Sequence, residues 1–398
     1  MPLFWLGEFS INIARGIFTL ALGMLLYEAT DSLWAFTFAI LGEFGVSILI
    51  QGMAGTIVDK FGARWVLPFA TLSNSAIIGT ILFANPELIN QPNLLLLIAM
   101  GLYISKPFIR NSVFVLIADL SEKDKLEKFN GYMSISLQCG QLLGMALAGV
   151  MLERYSSTTV LFGVFWGFTA AFICYSFVCL FAPNATTEPS DNSQSGSWIK
   201  VFKFIMNSKE MIVVIGIATF DYLAIALFNL LLAPAVKHNF DNLARWLSII
   251  DIAFAVGAIA GGIFIAKAVS PANLRLPATL ASMLSAASLY LLYVYDGHGV
   301  AVVVSTILFG FFTTASTVSW MSVQQASFPS EIRGRLASTR YISNACVAAL
   351  GCMLVSYAND INFKQAALVA FALMLMMAIT VAVVQFRKSY LNKLNSIT

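Results

Sequence analysis

Seven ionisable side chains lie inside long apolar stretches of this chain: Glu8, Arg15, Glu43, Lys106, Arg110, Asp221 and Asp251. Glu8, Asn12 and Arg15 are spaced i, i+4 and i+7, which sets them on one face of a helix. Lys106 and Arg110 are spaced i, i+4. Arg15, Lys106 and Arg110 together suit a carboxylate-bearing ligand, because guanidinium binds carboxylate through paired hydrogen bonds. Glu8, Asn12 and Gln138 are the polar side chains expected to share that site. Two alternatives stay open: Glu8 and Glu43 neutralise the cations as structural ion pairs, or Glu8, close to the chain start, snorkels to an interface.

Asp221 and Asp251 pose a different problem, since their half of the chain holds no cation within an apolar run. A carboxylate in low dielectric without a partner favours its protonated form. Such a group can load and unload a proton as water reaches it. Both histidines, His238 and His298, fall in polar breaks, so a buried imidazole is not the carrier. Asp251 is therefore the first candidate for proton coupling, with Asp221 or Glu43 next. Asp221 lies near the start of its run, which leaves water exposure as the other reading.

Elements long enough to hold such groups follow from composition. The 398 residues are 59% apolar and 11% charged, against about 45–50% and roughly 25% in soluble domains. This excludes a soluble enzyme, and a net charge of +3 does not call for nucleic acid. Apolar runs fall at about 3–27, 34–58, 65–84, 94–118, 131–152, 159–181, 211–233, 246–266, 276–295, 300–327, 341–357 and 366–386. Each can cross ~30 Å of hydrocarbon as a helix. The runs lack the period-2 alternation of barrel strands, so the expectation is an all-α membrane protein with twelve spans. Met1-Pro2-Leu3-Phe4-Trp5 shows no basic n-region, so the first run reads as a span rather than a signal peptide.

The longest break, 182–197, is rich in Pro, Ser and Asn and reads as a flexible linker. The mixed lysines and apolar residues of 198–206 suit a short helix on the membrane surface. The expected organisation is a six-helix bundle over 1–181, a linker with surface helix over 182–210, and a second bundle over 211–398. With the amino terminus inside, inner loops and tail hold sixteen Lys and Arg, Arg340 among them, against four outside. Both termini are thus expected in the cytoplasm. The five cysteines lie in apolar runs without metal-type spacing, and no cofactor or metal is called for.

The halves repeat. Gly55 and Gly262 close spans two and eight at a shift of 207, and Gly144 and Gly351 share that shift. Ser121-Glu122 and Ser330-Glu331 differ by 209. Glu43 and Asp251, 208 apart, are approximate mates.

The run Gly55-Thr56-Ile57-Val58-Asp59-Lys60-Phe61-Gly62-Ala63-Arg64 resembles the loop 2–3 signature of the major facilitator superfamily, with Trp65 where a final basic residue is usual. Gly55 allows close helix approach, Gly62 a tight turn, and Asp59 can face the positive amino end of a neighbouring helix. Lys60 and Arg64 hold the loop on the inner side. Pro329-Ser330-Glu331-Ile332-Arg333-Gly334-Arg335 resembles the family's loop between spans ten and eleven. Gly140, Gly144 and Gly149 resemble its antiporter motif, with Met145 where proline is usual. Trp5-Leu6-Gly7-Glu8 and Pro107 are similar to the macrolide-efflux and siderophore-export branch.

The resemblance implies two pseudo-symmetric six-helix bundles, cavity-lining first and fourth spans, and a cytoplasmic latch that favours the outward-open state. Gly55, Asp59, Lys60, Gly62, Arg64, Arg333 and Arg335 would form that latch. Ala266 stands at the matching place in the second half, so the latch is expected to be one-sided. No nucleotide-binding run, metal motif or nucleophile–base pair occurs, so no enzyme is expected. The function expected is proton-coupled export of a small organic molecule, a carboxylate-type siderophore or a drug, by a monomer in the cytoplasmic membrane. Import of an organic anion by proton symport is the alternative.

Overall fold

The computed structural model describes residues 2–30, 33–84, 91–122, 125–181, 198–207, 209–240, 243–268, 271–295, 298–359 and 361–395. The linker expected at 182–197 lies outside the described residues. Within them the chain forms helices α1 (Pro2–Thr30), α2 (Leu33–Phe61), α3 (Ala63–Ala84), α4 (Pro92–Leu120), α5 (Leu126–Arg154), α6 (Ser157–Phe181) and α7 (Trp198–Asn207). After these come α8 (Lys209–Asn239), α9 (Leu243–Lys267), α10 (Pro271–Val294), α11 (Gly299–Ser327), α12 (Arg333–Asn359) and α13 (Phe363–Asn395), with a 3-10 turn at Ser330–Ile332. Among the described residues twelve helices are long and only α7, at 10 residues, is short. Ten of them, α3–α6 and α8–α13, are long and apolar enough to cross a membrane, and α1 and α2 have 29 residues each. Helices are what such runs must form, because hydrocarbon leaves backbone amides no partner but their own chain. The prolines inside α3, α4, α8 and α10 (Pro68, Pro107, Pro234 and Pro277) are tolerated for the reason that neighbouring groups in a bundle re-satisfy the freed carbonyls.

The described residues cluster into two compact units. The first comprises 1–126, 136–207 and 325–342, and the second 127–135, 208–324 and 343–398. In the first, α1 packs on α6, α3 on α4 and α6, and α2 on α4. Close approach of α1 and α5 depends on glycine: a Cβ at Gly140 would lie 2.6 Å from the Phe9 carbonyl oxygen, and one at Gly144 would strike that of Ile13. The glycines resembling an antiporter motif thus have a packing use. Short α7 exposes Ile199, Phe202 and Met206 and sets Trp198 beside Gly52 of α2.

In the second unit the core gathers where α8, α10 and α13 meet, with Leu227, Phe228, Met283, Tyr290 and Met374 wholly or almost wholly buried. Tyr290 donates from its hydroxyl to the Ala224 carbonyl at 3.0 Å, which satisfies its one polar atom inside the core.

Candidate functional site

The basic residues of the first unit form one electrostatic cluster. Arg15 on α1, Glu43 on α2, and Lys106 and Arg110 on α4 lie within reach of one another's charge. Glu43 takes Lys106 as a direct ion-pair partner. The Arg110 guanidinium lies over the Tyr341 ring, 5.3 Å from its centroid. Arg15 is different: its Nη2 is buried and has no hydrogen-bond partner among the described residues.

Glu8 does not neutralise Arg15 by direct pairing, nor does it snorkel. It is buried, and its Oε2 accepts the Tyr175 hydroxyl at 2.7 Å while its Oε1 accepts the Asn12 amide at 3.0 Å. Asn12 also donates to the Glu8 carbonyl at 2.7 Å, as the one-turn spacing allows. Gln138 lies half-buried on α5. Direct ion pairing therefore holds at Glu43, whereas Glu8 acts on Arg15 through its charge without a contact pair.

A further cation joins this unit that the sequence placed in the inner loop. Arg340 lies in α12 two turns past its start and is buried. Its guanidinium sits between the Phe114 and Tyr341 rings, 5.0 and 4.5 Å from their centroids. Aromatic faces stabilise a guanidinium where water is excluded. The adjoining arginines of the loop motif hid it.

The groups assigned to a latch come together at the first turn of α12. Asp59, at the end of α2, accepts the Gly334 amide at 2.7 Å and the Arg335 amide at 3.1 Å, and pairs with the Arg335 guanidinium at 3.2 Å. The first turn of a helix has amides with no intrahelical partner and carries the positive end of its dipole, so a carboxylate fits there. Gly55 and Gly334 permit the approach: a Cβ on Gly55 would lie 2.7 Å from the Gly334 carbonyl oxygen. Gly62 turns the chain with φ +82. Arg64 donates to the Leu180 carbonyl at 3.0 Å, Lys60 lies over the Phe61 ring, and Arg333 pairs with Asp119 at 2.5 Å. Beside them runs a buried ring that sequence reasoning missed. Gln51 donates to Asn111 at 2.9 Å, Asn111 to Ser338 at 2.8 Å, and Ser338 to the Gln51 carbonyl at 2.6 Å.

In the second unit Asp221 is 1% exposed, which overturns the reading that its place near the start of its apolar run leaves it in water. Its carboxylate accepts Ser282 of α10 at 2.9 Å and Ser316 of α11 at 2.5 Å. Asp251 is half-buried on α9 and has no hydrogen-bond or ion-pair partner among the described residues. No group of three or more metal-binding side chains occurs among the described residues. An open groove of about 540 Å³ lined by Phe61, Trp65, Phe69, Ile104 and Phe108 is apolar and holds none of these charges.

Comparison with known proteins agrees with this architecture. The chain is 23% identical over 370 residues to the enterobactin exporter EntS of Citrobacter koseri, covering 88% of this chain and 83% of that protein. It is 27% identical over 226 residues to multidrug resistance protein 1 of Bacillus subtilis, covering 54% of this chain and 52% of that one. Among solved structures, the human organic anion transporter MFSD10 (TETRAN) superposes with a TM-score of 0.75 at 15% identity, and the E. coli fucose:proton symporter FucP with 0.74 at 12%, each over 96% of this chain and 98% of the other. At those identities the superpositions show the fold alone. The family model of the Major Facilitator Superfamily matches residues 4–351, and the chain belongs to that family of membrane transporters.

Proposed function

We propose that this chain is a proton-coupled exporter of a small organic molecule, a carboxylate-type siderophore first and a hydrophobic drug second, working in the cytoplasmic membrane with both termini inside. Residues 1–181 and 211–398 are the two halves that alternate access, joined by 182–210. The observation that carries the reading is the buried Nη2 of Arg15, which has no hydrogen-bond partner among the described residues and lies within reach of the charges of Glu8, Arg110, Glu43 and Lys106. A buried guanidinium nitrogen without an acceptor is costly, and a ligand carboxylate would satisfy it. The named functions of the enterobactin exporter and the multidrug resistance protein support export of this kind of molecule. The coupling proton is carried by one of three candidate carboxylates, Asp251, Asp221 or Glu43, and Gly55, Asp59, Lys60, Gly62, Arg64, Arg333 and Arg335 latch the inner side.

The test is uptake into proteoliposomes with a pH gradient of either sign, using a labelled carboxylate siderophore and, separately, ethidium. Antiport accumulates substrate in vesicles with an acidic lumen, whereas symport, the mark of an organic-anion importer, needs an acidic exterior. Loss of a charge-assisted hydrogen bond costs about 1.5–3 kcal/mol, so Arg15→Gln should weaken siderophore transport about 10-fold or more. Ethidium transport should change far less. Equal effects on both probes would remove the carboxylate-binding role of Arg15.

A further inference from the structure

We propose that Asp221, rather than Asp251, is the proton-binding site of the second unit, and that Ser316 and Thr279 are the partners whose hydrogen bonds reverse when the proton binds. The inference deepens the proton-coupled reading and rests on it for its use.

Asp221 lies in a continuous web of hydroxyls. The Ser282 hydroxyl next to it is 2.7 Å from that of Thr313, and Ser316 is 2.7 Å from Thr279. Thr279 has two more contacts: it is 2.9 Å from the Arg275 carbonyl and accepts the Trp320 indole at 2.8 Å. The pairs between α10 and α11 fall in register, Thr279 with Ser316, Ser282 with Thr313 and Ser288 with Ser305. One index rises as the other falls, the mark of antiparallel helices that share a polar seam. Hydroxyl pairs between membrane helices commonly serve packing alone. A carboxylate set into that seam does not.

Two features point to a proton. The first is the missing counter-charge. No ionised group among the described residues pairs with Asp221. On α10, Tyr290 bonds to the Ala224 carbonyl, and Arg275 pairs with Glu127 at 3.2 Å. On α9, Asp251 does not bond to Asp221, and α11 presents only Ser316 to it directly.

The second is that the web accommodates both charge states. A hydroxyl donates once and can accept as well, and a protonated carboxyl gains a donor. With Asp221 ionised, Thr279 donates to Ser316 and Ser316 to Asp221. With a proton from water bonded to Oδ2, the new O–H donates to Ser316, Ser316 turns to Thr279, and Thr279 turns to the Arg275 carbonyl. On release the proton returns to water and the chain reverses. Trp320, a donor only, is served by Thr279 in both states. Asp251 takes part in no such hydrogen-bonded web among the described residues; the Tyr293 hydroxyl lies within reach of its charge but is not bonded to it.

Infrared difference spectra between acidic and alkaline buffer, recorded on the full chain in liposomes, read the C=O band of a protonated carboxyl without any transport step. The wild type should show a pH-dependent band that is lost in Asp221→Asn and kept in Asp251→Asn. A band that survives Asp221→Asn, or vanishes in Asp251→Asn, overturns the proposal. If Asp221→Asn does not fold, Ser316→Ala decides. Removing one donor to the carboxylate should move the band's midpoint about one pH unit higher, and an unmoved midpoint overturns the proposal. A wild type that shows this band while its transport ignores a pH gradient would end the coupling reading and leave the proton site standing.

Discussion

The end of α2 and the end of α9 are repeat mates, yet each meets its partner helix by different means. Gly55 and Gly262 differ by 207, as do Asp59 and Ala266, and Gly131 and Ser338. Both crossings bring backbones together through glycine: a Cβ on Gly55 would lie 2.7 Å from the Gly334 carbonyl oxygen, and one on Gly131 would lie 2.7 Å from that of Gly262. At α2 a carboxylate then caps α12 and pairs with Arg335, with side chains only 4% and 7% exposed. At α9 the same place holds Ala266, packed on Gly131, and the charge has moved outward to Arg275 and Glu127, at 26% and 12% exposed. The geometry of approach is retained while the chemistry of the lock has diverged. A buried ion pair is lost steeply when one partner goes, whereas a part-exposed pair over an apolar contact is lost gradually. The α2–α12 contact is therefore the one expected to behave as a switch.

The largest effect should come from Asp59→Ala. It strands the buried Arg335 guanidinium and uncaps two amides of α12, a loss of about 3–5 kcal/mol by analogy with other broken buried pairs. Thermal unfolding of the purified protein should show it as a marked fall in midpoint, and a midpoint equal to wild type would falsify the contrast between the two contacts.

Gly334→Ala comes next. Alanine gains about 1 kcal/mol of helix propensity over glycine, but its Cβ would sit 2.5 Å from Asp59 Oδ1 and 2.9 Å from the Gly55 carbonyl oxygen. Overpacking of this sort costs about 1–3 kcal/mol, so the net change should be a loss of about 1 kcal/mol. In the Asp59→Ala background the loss should shrink, as double-mutant cycles show for residues in contact. Strict additivity would mean that Gly334 and Asp59 do not act through one contact.

The smallest effect is the most informative about symmetry. The mates of Gly334 and Arg335 are Glu127 and Lys128, which occupy the second and third positions of α5 as the former do in α12. Ala266→Asp therefore brings a carboxylate towards the first-turn amides of α5, but beside the Glu127 carboxylate. It should cost about 1 kcal/mol alone and less in combination with Glu127→Gln, since the repulsion is then gone. Equal costs in both backgrounds would show that the new side chain never reaches the α5 amides.

Some of this was legible along the chain. The twelve runs, the glycines of the crossings and the acid of the loop motif could all be read, because each depends on local hydropathy or spacing. Pairings across 275 residues, as between Asp59 and Gly334, could be expected only through resemblance to a family. Which acid would pair directly with a cation was open along the chain; Tyr175, 167 residues away, holds Glu8 in a hydrogen bond, and Glu8 acts on Arg15 by charge alone. Arg340 looked like the last charge of a basic loop, and its aromatic neighbours became visible only once α4 was set against α12. The i, i+3 spacing of Thr279, Ser282, Ser285 and Ser288 was in plain sight, but hydroxyls are frequent in membrane helices and carry little signal without a partner.

Taken alone, the amino-acid order determines that this chain enters a bilayer, where it crosses, and which charges it must shelter there. Those are statements about transfer free energy, which each segment settles for itself. Which charge meets which, and which is left without an acceptor, are decided by helix against helix. A side chain's partners in a low-dielectric interior are set by a few ångströms of approach, and that distance is not a property of any one segment.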